Sequence, residues 1–156
     1  MSINISIDGE STEGEPVIRK QVFGNTVVLG RNDTDQSITG NVETTVQYNS
    51  IIYQSDNYFD LSIDNTIKIN HDGLYTIVGT FKLDTGTQNT VYILNAYVNG
   101  SLVRSRRIVD IDANPLDWGL TDVLELKTGD ELQFKLLSSA NCSILVSSIL
   151  QMLLVA

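Results

Sequence analysis

The chain has 156 residues, with 19 acidic and 10 basic side chains, one histidine, one cysteine and a formal net charge of -9; that length suits one domain able to bury a core without staples. Like-charge repulsion argues against nucleic acid and against an anionic membrane surface as partners. Cys142 alone can form neither an intrachain disulfide nor a Cys-ligated zinc site, and His71 alone leaves no histidine set for metal or triad chemistry, so neither a cofactor nor a bound metal is expected.

In chain order, Met1 to Glu15 lacks a cationic start and an apolar run and carries Asp8, Glu10, Glu13 and Glu15. It does not read as a secretory signal, and a protein made in a cytoplasm is expected. Ile3, Ile5 and Ile7 alternate with polar residues in the manner of a half-buried strand. Ser11 to Pro16 is acidic and turn-rich, Val17 to Leu29 is largely apolar, and Gly30 to Gly40 is polar. Residues 1–40 therefore read as an attachment arm or small β cap, with Ile3, Ile5, Ile7, Val17 and Ile18 as its adhesive residues. The same span also fits ordinary edge strands of the main domain, which covers residues 41–156.

Val, Ile and Thr are abundant beyond that point, alanine is scarce, and turn pairs recur at Gly40-Asn41, Asp72-Gly73, Asn99-Gly100 and Gly129-Asp130. Short β-branched segments at such spacing predict an all-β sandwich or barrel. Strands are expected near Thr45–Gln54, Tyr58–Ile63, Thr66–Asn70, Leu74–Leu83, Thr90–Asn99, Ser101–Ile111, Thr121–Lys127, Asp130–Leu137 and Ser143–Val155. Asn99-Gly100 predicts a two-residue hairpin with positive φ at both positions, and Pro115 predicts a loop through Gly119. Cys142 to Ala156 is the most apolar stretch, but it falls short of the roughly 20 residues that span a bilayer. Its strand carries Ile149, Gln151, Leu153 and Val155 on one face and Leu150, Met152 and Leu154 on the other. Apolar residues on both faces predict that both are covered, the second by another subunit or by another part of the chain.

The segment Tyr58-Phe59-Asp60-Leu61-Ser62-Ile63 leading to Asp72-Gly73-Leu74-Tyr75 resembles a conserved stretch of complement-type globular heads. Val91 to Leu94 before Val98-Asn99-Gly100-Ser101, the hairpin Leu124 to Leu132 around Gly129-Asp130, and the closing Ile144 to Val155 follow in the same order. Residues 45–156 thus resemble the tumour-necrosis-factor-like jelly-roll superfamily. Two departures stand out: Ser147-Ser148-Ile149-Leu150 replaces the usual Phe-x-Gly, and no collagen-like stalk precedes the domain. The resemblance implies a jelly-roll β-sandwich that assembles as a homotrimer with the closing strand near the axis. Phage head fibres and capsid decoration proteins also use trimeric jelly rolls, and a short chain with an N-terminal arm looks like one of these.

Arg104, Arg106 and Arg107 crowd one strand, with Arg104 and Arg106 on one face. They read either as a surface pair or, with Ile149, Gln151, Leu153 and Val155, as the trimer interface. Trp118 beside Asp117 reads either as a ligand- or receptor-binding pair or as a lid on the core. Asp110 to Asn114 has calcium-loop oxygen spacing, but Pro115 occupies the turn position, so it reads as a solvated turn. His71 reads as an exposed turn residue and Cys142 as a small buried hydrophobe. The expected function is a non-enzymatic virion-surface component, a capsid decoration or head-fibre protein, joined to another virion protein by its arm. The alternative is a receptor- or glycan-binding tip that contacts a host-surface glycan.

Overall fold

The computed structural model describes residues 26–30, 34–48, 50–54, 57–62, 64–84, 87–112 and 115–155. Ile3, Ile5, Ile7, Val17 and Ile18 lie outside them. The strands are β1 (Thr26–Gly30), β2 (Gln36–Ile38), β3 (Thr44–Thr45), β4 (Ser50–Gln54), β5 (Phe59–Leu61), β6 (Ile67–Ile69) and β7 (Gly73–Asp84). They continue with β8 (Thr90–Val98), β9 (Ser101–Asp110), β10 (Leu116–Leu126), β11 (Glu131–Ser138), β12 (Cys142–Ile144) and β13 (Ile149–Leu154).

These strands form a seven-stranded and a six-stranded sheet, and every pairing is antiparallel. In the first sheet β10 lines one edge of β7, while β13 and β12 share its other edge. Strand β1 then pairs with β13, β4 with β1, and β2 with β12. The second sheet runs β5, β6, β11, β8, β9, with β3 also on β11. The all-β expectation holds as a sandwich of two antiparallel sheets.

Period-2 alternation builds the core. On β7, Tyr75, Ile77, Phe81 and Leu83 point inward, and on β11 Leu132, Phe134 and Leu136 answer them, all buried. Phe59 meets Tyr75 edge-on at 5.5 Å between ring centroids, a favoured aromatic geometry. Gly79 stands among these inward residues because a Cβ there would lie 2.7 Å from the Phe81 ring. At the β8–β9 hairpin, Asn99 (φ 51) and Gly100 (φ 76) take the positive angles that the Asn-Gly pair predicts. The Asn99 side chain then ties two hairpins together, donating to Asp130 Oδ1 at 2.7 Å and accepting from the Glu131 N–H at 3.0 Å.

Three differences from the sequence reading have local causes. Residues 26–38, read as arm or cap, supply β1 and β2, and β1 lies inside the first sheet between β13 and β4. Its five-residue apolar run TVVLG is half of a ladder whose other half lies more than a hundred residues away. The expected loop before Thr121 is instead strand from Leu116 onward. Pro115, which lacks an N–H, sits just ahead of the ladder, and β10 pairs with β7 along its whole length. The closing strand is broken into β12 and β13. At the break the Ser148 Oγ accepts from Lys82 N–H at 2.9 Å, and the Leu145 N–H donates to Lys82 O at 2.8 Å, which keeps the β7 backbone satisfied.

Candidate interaction surface

On β13, Leu150 and Met152 are buried in the core, while Ile149, Gln151, Leu153 and Val155 take the outer face of the first sheet. The neighbouring strands continue that face. Thr80, Val78 and Thr76 of β7 lie opposite Ile149, Gln151 and Leu153. Val123 of β10 lies opposite Thr76, and the Val155 N–H donates to Leu74 O at 2.8 Å. Leu74, Val78, Val123, Ile149 and Val155 are each at least 41% exposed. Beyond β1, Tyr53 pairs beside Val28, and Ile52 lies over Gly30, where a Cβ would come within 2.6 Å of its Cδ1. This is a largely apolar face, with Thr76, Thr80 and Gln151 among its residues, open to solvent in the single chain.

Arg104 and Arg106 lie elsewhere, on β9 at the edge of the second sheet, opposite the inward-facing Ala96 and Leu94 of β8. Arg104 spans the gap to the first sheet: its Nε is 3.1 Å from Asp122 Oδ2 and donates to Oδ1 at 3.3 Å. Beneath them a cavity of about 10 Å³ is floored by Ile77, Leu94, Leu120, Leu124 and Phe134. That is about the size of one water, and the floor is apolar. Arg107 points to the other side of β9, opposite Ile93. The two groups of expected interface residues thus occupy different surfaces of one subunit.

Trp118 is 8% exposed and faces the core opposite Phe81, whereas Asp117 is exposed on the outer face opposite Lys82. The two alternate across the strand and do not form a joint site. His71 packs its ring on Tyr58 at 4.3 Å, and its carbonyl accepts from Tyr75 OH at 2.6 Å. Burial pushes the Tyr75 phenol up to about 12. Cys142 is a free, buried thiol, and burial raises its pKa. Asp110 is buried and its Oδ1 accepts from the Asp112 N–H at 3.1 Å, while Ala113 and Asn114 lie outside the described residues. Among the described residues no group of three or more His, Cys, Asp or Glu side chains could hold a metal ion, and no helix is long and apolar enough to cross a membrane.

A cluster that sequence reading missed lies on the outer face of the second sheet. Glu43, from the segment between β2 and β3, accepts from Asn95 Nδ2 at 2.7 Å and from Tyr97 OH at 2.9 and 3.1 Å. The hydrogen bond to Glu43 raises the Tyr97 pKa. Lys135 Nζ lies 4.7 Å from the centre of the Tyr97 ring, close enough for a cation–π contact. Asn95 and Tyr97 share a face by period 2, but nothing in the sequence announces that Glu43 folds across them.

No family model matches the chain, and no curated protein matches it. Solved structures do. The chain is similar to Eiger TNF from S. frugiperda, with a TM-score of 0.60 and 13% identity over 85% of this chain and 92% of that one. Murine APRIL gives a TM-score of 0.65 and 12% identity over 84% and 98%. The globular domain of zebrafish complement 1qA gives 0.62 and 16% over 85% and 98%. The fold is a TNF- and C1q-like jelly roll. At such identities the likeness concerns the backbone path, and function has to be argued from surfaces.

Proposed function

We propose that the protein is a non-enzymatic, homotrimeric TNF-like jelly roll on a virion surface, a capsid decoration or head-fibre component anchored to another virion protein through its N-terminal segment. The observation that carries self-assembly is the open apolar face of the first sheet, around Val78, Ile149, Leu153 and Val155; the number three rests on the resemblance to TNF-like jelly rolls. A monomer exposing such a face would be prone to association. The Arg104–Arg106 edge is a different surface, so an interface using both is head-to-tail, with the face of one subunit against the edge of the next. Contacts of that kind close into a ring where the rotation between copies closes, and three copies would be one such ring. Three copies would multiply the charge of -9, which favours solubility and repulsion between neighbouring projections.

Sedimentation equilibrium at micromolar concentration tests the trimer: a three-copy species is expected, and a stable monomer would overturn it. The virion role is tested by genomic neighbourhood, where adjacent capsid or tail genes are expected. A second reading is a receptor- or glycan-binding head, with which the fold shared with Eiger TNF and complement 1qA is compatible. It does not draw on the Trp118 ring, which lies in the core. Binding of a host-surface glycan or receptor by the isolated trimer would favour it over pure scaffolding.

A further inference from the structure

Lys135 of β11 lies directly opposite Asn95 of β8 on the outer face of the second sheet. Side chains so placed stand roughly 4.5–5.5 Å apart at Cβ, within easy reach of a lysine stem. Asn95 is 8% exposed. Its Nδ2 donates to Glu43 Oε1 at 2.7 Å, and its Oδ1 is buried with no hydrogen-bond partner among the described residues. The strong tie on the carboxamide is therefore a carboxylate hooked onto the nitrogen that would leave. Tyr97 OH, bonded to both Glu43 oxygens, fixes that carboxylate. The Lys135 ammonium rests over the Tyr97 ring, two residues along β8 from Asn95.

We propose that Lys135 and Asn95 are joined by an intramolecular isopeptide bond, with Glu43 as the proton carrier. Lys135 first gives its ammonium proton to solvent; the resulting amine attacks Asn95 Cγ, and the new C–N bond forms as the Cγ–Nδ2 bond breaks. Glu43 takes the proton from the attacking nitrogen and passes it to Nδ2, which departs as ammonia. Nothing is oxidised or reduced, and no co-reactant is needed. Glu43 touches the leaving group and is a catalytic residue in this sense; Tyr97 is a positioning residue. The product clamps β8 to β11 in the middle of the second sheet and shortens the loop available to the unfolded chain. This proposal stands apart from the virion reading and does not depend on it.

Intact-mass spectrometry of the purified full chain is the test. The wild type is expected one ammonia lighter than its sequence mass. Its digest should contain a branched peptide carrying Lys135 and Asn95, with no tryptic cut after Lys135. Lys135→Arg and Glu43→Gln are expected to retain the ammonia while keeping the wild-type circular dichroism spectrum. A succinimide at Asn99-Gly100 would lose the same mass, but it maps to Asn99 and survives in Lys135→Arg. That result, or a wild-type chain at its full sequence mass, overturns the proposal. If a variant fails to fold, the wild-type peptide map decides the question alone.

Discussion

The two sheets present unlike surfaces to the outside. The first turns out Leu74, Val78, Val123, Ile149 and Val155, with few side-chain hydrogen bonds among them. The second turns out Asn95 and Tyr97, hydrogen-bonded to Glu43, Gln133, hydrogen-bonded to Thr66, and Lys135, whose ammonium rests on the Tyr97 ring. An isolated antiparallel sandwich keeps one face of each sheet dry and the other wet. The second sheet carries a polar cluster at its centre with exposed Leu102 and Val109 on its edge strand, whereas the first exposes apolar side chains on β7, β10 and β13. An apolar outer face is a stability liability in a single chain and an asset where another surface covers it, so the difference separates the face suited to assembly from the face suited to solvent.

Substitutions can sharpen that contrast, and the largest effect should come from neither outer face. Phe134→Ala, which empties the core between the sheets, should cost about 3–5 kcal/mol in urea unfolding. Next, Val78→Asp combined with Leu153→Asp should convert the assembled species to monomer in sedimentation, while circular dichroism stays that of a folded sandwich. Lys135→Asp on the opposite face should leave assembly intact; if it abolishes assembly, the contrast between the faces is wrong. Gly79→Ala should cost about 1–3 kcal/mol through overpacking against Phe81, measured by thermal melts. Asn99→Ala removes two side-chain hydrogen bonds and a residue tolerant of positive φ, and should cost about 1–2 kcal/mol by the same measurement.

The smallest effect is a pH dependence at Asp72. The Thr128 backbone N–H, 2.7 Å from Oδ1, holds its carboxyl below the ordinary 3.8. A carboxyl lowered in the folded state contributes stability above its unfolded value, lost as pH falls through the folded one. Asp72→Asn should therefore lower the melting temperature slightly near neutrality, with the difference from the wild type fading as pH falls below 3.8.

Much of the fold was readable because strand signals are local. Alternation on β7, β8 and β11 marked inward and outward residues directly, and Asn99-Gly100 marked its hairpin. The parity of β13 was readable too, which is why Leu150 and Met152 fall in the core and Ile149 and Gln151 outside. Reading failed where a partner strand far along the chain overrode a local cue. Pro115 and Gly119 looked like loop, yet the long edge of β7 organises residues 116–126 into a strand. Thr26–Gly30 looked like arm, yet β13 and β4 flank it on both sides. Ser147 and Ser148 marked a departure from the jelly-roll pattern, and a break in the closing strand is what they make.

Composition by itself determined the class: an acidic chain rich in β-branched residues, poor in helix formers, with one histidine and one cysteine. Strand periodicity determined which side chains share a face, because a pleat alternates every residue wherever the strand lies. Only the tertiary structure decided which faces meet. It put Trp118 in the core, set Arg104 against Asp122 across the seam between sheets, and folded Glu43 over Asn95 and Tyr97. Those contacts join residues distant in sequence, and their geometry depends on how two twisted sheets stack, which no local pattern encodes.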